Sequence, residues 1–184
     1  MMLPVFDYLE TPRLRLRLIT PELHHELFTH GTQMEIMEAL GLISEEAFEK
    51  EQHKHEGGLT QFNRTMRWFT LLERETMRAL GSAGFHNWMP EHRRAELGYS
   101  LHLESDMGKG YMTEAVQRLV TYGFQDMNLN RIEACIASYN IASKRIVSRL
   151  GFQYEGLLRQ HYNKHGVLED SEIYALLKAD YLAI

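Results

Sequence analysis

The residues best suited to chemistry in this chain are Gly108 and Gly110 with Lys109 between them, directly ahead of a run with helical spacing. Glycines there let backbone approach a ligand closely, with several N–H groups at the positive end of a helix dipole, a geometry that suits phosphate or pyrophosphate. The same glycines also suit a plain strand-to-helix turn. Two familiar phosphate loops fit poorly. A P-loop requires Ser or Thr after its Lys and a Gly six residues before it. Here Gly110 follows Lys109, and Leu103 stands where the first Gly belongs. A dinucleotide fingerprint needs a third Gly where Thr113 stands, and the spacer Glu104–Met107 separates strand from motif. Among other candidates, Asn140 and Ser143 have the spacing of an N-cap and third helical residue. Cys135 reads as a small buried apolar residue. His24, His25, His53 and His55 lack metal-ligand spacing, so no metal is expected.

The elements positioning the loop follow from hydrophobic period. Leu97, Tyr99, Leu101 and Leu103 alternate with polar or small residues, predicting a strand over 94–103. Met112, Ala115, Val116, Leu119, Val120 and Phe124 predict an amphipathic helix. Further strands are expected at 13–19, 67–72, 79–86 and 131–137, with a final hairpin of 152–162 and 168–178 around Lys164-His165-Gly166. Thr20-Pro21 and Ser44 mark helix starts, and a helix over 140–150 stops at Gly151. The arginines of the 13–19 strand read as a solvated face. The region 31–65, with a helix weakening at Gly57-Gly58, reads as a lid or substrate loop. The predicted order is β, α, α, three strands, α, β, α, β, β, an α/β (α+β) fold in one domain spanning 1–184, with its core at about 11–178.

Composition narrows the class. At 184 residues and 44% hydrophobic, the chain can build one core. A formal net charge of −5 argues against a broad nucleic-acid surface. With one cysteine, no secretory signal and no run long enough to span a membrane, a soluble cytoplasmic protein is expected.

The segments AELGYSLHLESDMGKGYMTEA, NIASKRIVSRLGFQYEG and NKHGVLEDSEIYALLK, with the opening TPRLRLR, resemble the GCN5-related N-acetyltransferase (GNAT) superfamily. The nearest branch is the RimJ/RimL-like protein N-terminal acetyltransferases. The resemblance runs from Thr11 to the C-terminus and is loose over 31–65. It implies a mixed, mostly antiparallel sheet split at an acetyl-CoA site and flanked by helices. It also implies acetyl-CoA as co-substrate, its pyrophosphate on the amides of Met107, Gly108, Lys109, Gly110, Tyr111 and Met112. The pantetheine arm would pair with Leu101, His102 and Leu103 and enter a V-shaped split beside the 131–137 strand. Asn140 and Ser143 would face the coenzyme.

For catalysis, Glu96 resembles the strand glutamate that acts as general base in several members, while a plainer reading pairs it with Arg93 or Arg94. Val147 stands where many relatives outside this branch carry a Tyr acid, and a Ser at the Ser143 position holds that role in the Rim branch. Ser105 replaces the loop's usual leading Arg or Gln, and Met112 a small residue. The expected function is acetyl transfer to a primary amine by direct transfer in a ternary complex, with a protein N-terminal α-amine as acceptor and the protein a monomer or homodimer. Polyamine, aminoglycoside or amino-acid acceptors, a CoA-binding regulator without catalysis, and a dinucleotide-binding oxidoreductase are the alternatives.

Overall fold

A computed structural model describes residues 5–57 and 66–182. Gly58 and the rest of 58–65, part of the expected lid, lie outside the described residues. The elements run β1 (Tyr8–Glu10), β2 (Leu14–Ile19), α1 (Pro21–His30), α2 (Gln33–Leu40), α3 (Glu45–Glu56), β3 (Arg67–Glu73) and β4 (Ala79–Met89). They continue through β5 (Arg94–Leu101), α4 (Tyr111–Gln125), β6 (Arg131–Ala137), α5 (Ile141–Arg149), β7 (Gln153–Lys164), β8 (Val167–Leu177) and α6 (Lys178–Tyr181). The β1–β2, β2–β3, β3–β4, β6–β8 and β7–β8 pairings are antiparallel and β5–β6 is parallel, the mixed, mostly antiparallel arrangement expected.

The described residues fall into two compact units, one within Met1–Trp88 and Gly98–Arg118, the other within Met89–Leu97 and Leu119–Ile184. In the first, Leu16 faces Leu71 and Leu18 faces Phe69 across β2–β3. Leu14, Leu16, Phe69, Leu71 and Phe85 are fully buried there. A second cluster joins the early helices: Leu27, Ile36 and Ala39, with Phe6, Phe28 and Phe48 against it. Local chemistry starts each of these helices, at Thr20 and Ser44 as expected and at Thr32 besides. Thr20 accepts from the Leu23 N–H, Thr32 and Glu35 form a reciprocal capping box, and Ser44 accepts from the Ala47 N–H.

The arginine face expected to be solvated holds at Arg13 and Arg15, whose side chains are 47% and 41% exposed, and fails at Arg17. Arg17 is only 7% exposed, its guanidinium donating to Glu38 O (2.9 Å) and Ala39 O (3.1 Å) at the C-terminal end of α2 and lying over Phe6 at 4.6 Å. A cation at those carbonyls complements the helix dipole and supplies donors to groups the helix cannot satisfy itself.

In the second unit, β6 buries Ile132, Ala134 and Ile136 on alternate positions. The parallel β5–β6 ladder is three residues long, Arg94–Glu96 against Arg131–Glu133. Val147 of α5 is fully buried, as is Leu176 of β8. The strand expected over 94–103 stops at Leu101, because a 3₁₀ turn at Glu104–Asp106 takes over. The short β1 and α6 were not legible, while α2 occupies the stretch from Met34 to Leu40 that reads as a short helix ending at Gly41.

Candidate active site

The glycine loop lies in the first unit. His102 N–H still bonds Leu80 O at 2.9 Å, then the chain turns, with Asp106 N–H on Leu103 O (3.1 Å) and Met107 N–H on Glu104 O (2.9 Å). Gly108 and Gly110 take φ of +76° and +84°, the left-handed region that L side chains avoid. A Cβ at Gly108 would meet open space, and one at Gly110 would sit 3.3 Å from an Arg13 nitrogen.

Ion pairs and hydrogen bonds from the segments flanking β2, β3 and β4 brace this turn. Arg78 donates to both oxygens of the buried Asp106, at 2.8 and 3.0 Å, and the Lys109 ammonium reaches Asp106 at 3.3 Å. The Arg78 hydrogen bond, aided by Lys109, lowers the Asp106 pKa to about 2. Arg13 pairs with Glu114 at 2.7 Å, donates to Lys109 O at 2.9 Å and lies over the Tyr111 ring at 4.8 Å. Tyr111 donates to Glu73 (2.9 Å), and Thr11 donates to Glu114 (2.7 Å).

The Lys109 and Tyr111 side chains are thus held by protein partners, while Leu103 and Met107 are exposed. The first bond within α4 runs from Glu114 N–H to Gly110 O at 3.1 Å. The amides of Tyr111, Met112 and Thr113 therefore have no acceptor inside the helix. A braced left-handed loop leading into such a helix start fits a pyrophosphate.

Glu96 lies in the second unit. Its side chain is buried, and Tyr162 donates to its Oε1 at 3.3 Å. The Cys135 thiol adjoins the same carboxylate. Burial first, then the Glu96 charge, pushes that thiol up to about 12. Burial, the Glu96 charge and the nearby Cys135 also raise the Tyr162 phenol. At neutral pH both are therefore protonated donors. The two arginines considered as alternative partners of Glu96 have contacts of their own. Arg93 donates to Asn128 O at 3.0 Å, and Arg94 pairs with Glu133 at 2.9 Å.

Asn140 caps α5, its Oδ1 accepting the Ser143 N–H at 3.1 Å. Lys144, next in the helix, bridges Ser138 O (2.8 Å) and Glu172 (3.0 Å). Four residues to which the sequence reading gave no role at the site hold these parts in place: Arg13, Arg78 and Asp106 at the loop, and Tyr162 at the carboxylate.

Residues 13–153 match the family described as Acetyltransferase (GNAT) domain. The chain belongs to the GNAT acetyltransferases. It is 34% identical over 176 residues to the uncharacterized N-acetyltransferase YoaA of Bacillus subtilis (strain 168), covering 95% of this chain and 98% of that protein. It is 30% identical over 115 residues to the [Ribosomal protein uS5]-alanine N-acetyltransferase of Escherichia coli (strain K12), covering 62% of this chain and 59% of that enzyme. Mutant forms of the spermidine/spermine N-acetyltransferase SpeG from Vibrio cholerae superpose with a TM-score of 0.67 at 20% identity, covering 93% and 98% of the two chains. GNAT enzymes use acetyl-CoA as co-substrate, and this GNAT protein is an acetyltransferase.

Proposed function

We propose that this acetyltransferase carries the acetyl group of acetyl-CoA to the α-amine at a protein N-terminus, by direct attack in a ternary complex. The braced loop Met107–Met112 would hold the pyrophosphate. Glu96 takes the proton from the acceptor, since an α-amine with a pKa near ~8 must be neutral to attack. The amine nitrogen bonds to the thioester carbon, the C–S bond breaks, and coenzyme A leaves as a thiolate that then takes a proton. Val147 has no proton to give. The Ser143 hydroxyl is the candidate donor to the thiolate, and Asn140 and Ser143 line the coenzyme.

The observation that carries this reading is the buried Glu96 carboxylate, flanked by a phenol and a thiol that are both neutral at working pH. The N-terminal acceptor is favoured over a polyamine by sequence. Two relatives named for ribosomal proteins match this chain by sequence, at 31% identity over 96 residues and 30% over 115 residues. The test is a thiol-release assay with acetyl-CoA against alanine- and serine-initiated peptides, the same peptides blocked at the α-amine, and spermidine. Turnover confined to free α-amines is expected. Faster turnover with spermidine or with blocked, lysine-containing peptides overturns the acceptor assignment.

A further inference from the structure

The Arg13 guanidinium is held on two sides and over one face. Its Nε pairs with Glu114 Oε2 at 2.7 Å, its Nη1 donates to Lys109 O at 2.9 Å, and its carbon lies over the Tyr111 ring at 4.8 Å. The main chain is fixed as well. The Arg13 N–H donates to Glu114 Oε1 at 2.9 Å, and the Arg74 N–H donates to Arg13 O at 2.9 Å. The third nitrogen, Nη2, has no protein acceptor among the described residues. It stands over the glycine loop, where it would be the nearest neighbour of a Cβ at Gly110, at 3.3 Å.

The other cations of this turn are placed differently. Arg78 and Lys109 both hold Asp106, and Arg78 Nε faces Glu73 at 3.9 Å. Arg74 reaches Thr11 O at 3.2 Å and Glu10 at 3.7 Å. Neither Arg74 nor Arg78 comes within 4 Å of a Cβ at Gly110. Of the carboxylates, Glu73 accepts from Thr76 and Tyr111, and Glu114 Oε1 is occupied by Thr11 and the Arg13 N–H. A guanidinium carries its donors in a rigid planar fork, so fixing Nε and Nη1 also fixes where the N–H groups of Nη2 point. They lie beside Gly110, directly before the amides of Tyr111, Met112 and Thr113 that open α4.

We propose that Arg13 is a coenzyme-binding residue: Glu114, Lys109 O and the Tyr111 ring fix its guanidinium so that Nη2 donates to a phosphate oxygen lying on the glycine loop. This rests on the reading of Met107–Met112 as the pyrophosphate site. Charge assists a hydrogen bond from guanidinium to phosphate. A side chain already held by the protein also loses little freedom when the phosphate arrives.

The test measures dissociation constants for coenzyme A and for pantetheine, which carries no phosphate, by titration calorimetry on the intact protein. Wild type is compared with Arg13→Met, Arg13→Lys, Glu114→Gln and Gly110→Val. Arg13→Met should weaken coenzyme A tenfold or more, the scale of a hydrogen bond to a charged group, and the preference for coenzyme A over pantetheine should shrink by the same factor. Arg13→Lys keeps the cation but not the fork and should fall between wild type and Arg13→Met. Glu114→Gln loosens the brace yet keeps the guanidinium, so it should weaken coenzyme A by less than Arg13→Met. Equal losses in Arg13→Met and Glu114→Gln, or a loss that pantetheine shares in both Arg13 variants, would make Arg13 a brace and overturn the contact. Wild-type affinity in Arg13→Met while Gly110→Val loses coenzyme A overturns the contact and leaves the loop as the phosphate site. Wild-type affinity in Gly110→Val overturns the loop reading and the contact with it.

Discussion

The Arg78 guanidinium grips the Asp106 carboxylate with two parallel hydrogen bonds, 2.8 and 3.0 Å, tying the β3–β4 turn to the glycine loop. Bidentate pairs of this kind fix geometry as well as charge. Asp106 titrates near 2, below its ordinary value near ~4, so its contribution to stability is full above that ordinary value and fades as pH falls toward about 2. Asp106→Asn should melt below wild type by a constant margin between about pH 7 and about pH 5. The margin should close as wild type is acidified through the carboxylate's titration, read by thermal unfolding across pH.

Acetyl-CoA should raise the melting temperature of wild type, because a ligand bound only by the native state adds about 2.7 kcal/mol at a hundredfold excess over Kd. Gly110→Val should fold and lose that shift. At φ +84° a β-branched side chain is strained, and its Cβ would press on Arg13 at 3.3 Å. An undiminished shift would remove the loop from the coenzyme site.

Glu96→Gln should lower turnover by roughly 10²- to 10⁴-fold, the usual range for losing a general base, and keep the acetyl-CoA melting shift. Steady-state kinetics beside the thermal assay separate chemistry from binding.

At the start of α5 the cap and the hydroxyl can be told apart. Asn140 Oδ1 accepts the Ser143 N–H, so Asn140→Ala should cost about 1 kcal/mol of stability. Ser143→Ala should lower kcat with little change in KM for acetyl-CoA if its hydroxyl serves the thiolate. Full turnover in Ser143→Ala would return the residue to a helix-start role.

Cys135 offers a readout free of acetyl transfer. The thiolate is the reactive form, and burial together with the Glu96 charge holds this thiol up to about 12. Alkylation of Cys135 should be slow at neutral pH in wild type. In Glu96→Gln its pH profile should move to lower pH, because one of the two main causes is gone while burial remains.

The parts of this molecule that were legible in its sequence are those fixed by local pattern. Strand β6 announces itself through Ile132, Ala134 and Ile136, and the Gly108/Gly110 pair marks the loop. Its braces were not legible, because Arg13 and Glu114 are a hundred residues apart and nothing near either names the other. Arg17 misled for a related reason. A Leu/Arg alternation looks like one wet face, and only the carbonyls ending α2 reveal a buried cation. Tyr162 was hidden most deeply, since its aim depends on an irregularity in the β7–β8 hairpin. Leu158 pairs with Ser171, yet the next pair is Tyr162 with Glu169, and between them Asp170 Oδ1 accepts the Gln160 N–H at 2.8 Å.

That irregularity also bears on how the protein behaves in a crowded solution. Strand β7 ends the order β5–β6–β8–β7, so its outer side offers backbone groups to any extended chain that lies alongside. Tyr154 and Leu157 are exposed along it. A kinked rim with Gln160 out of register cannot template a straight neighbour along its full length. The Asp170 hydrogen bond to Gln160 thus holds a bend that blunts this exposed rim against edge-to-edge pairing.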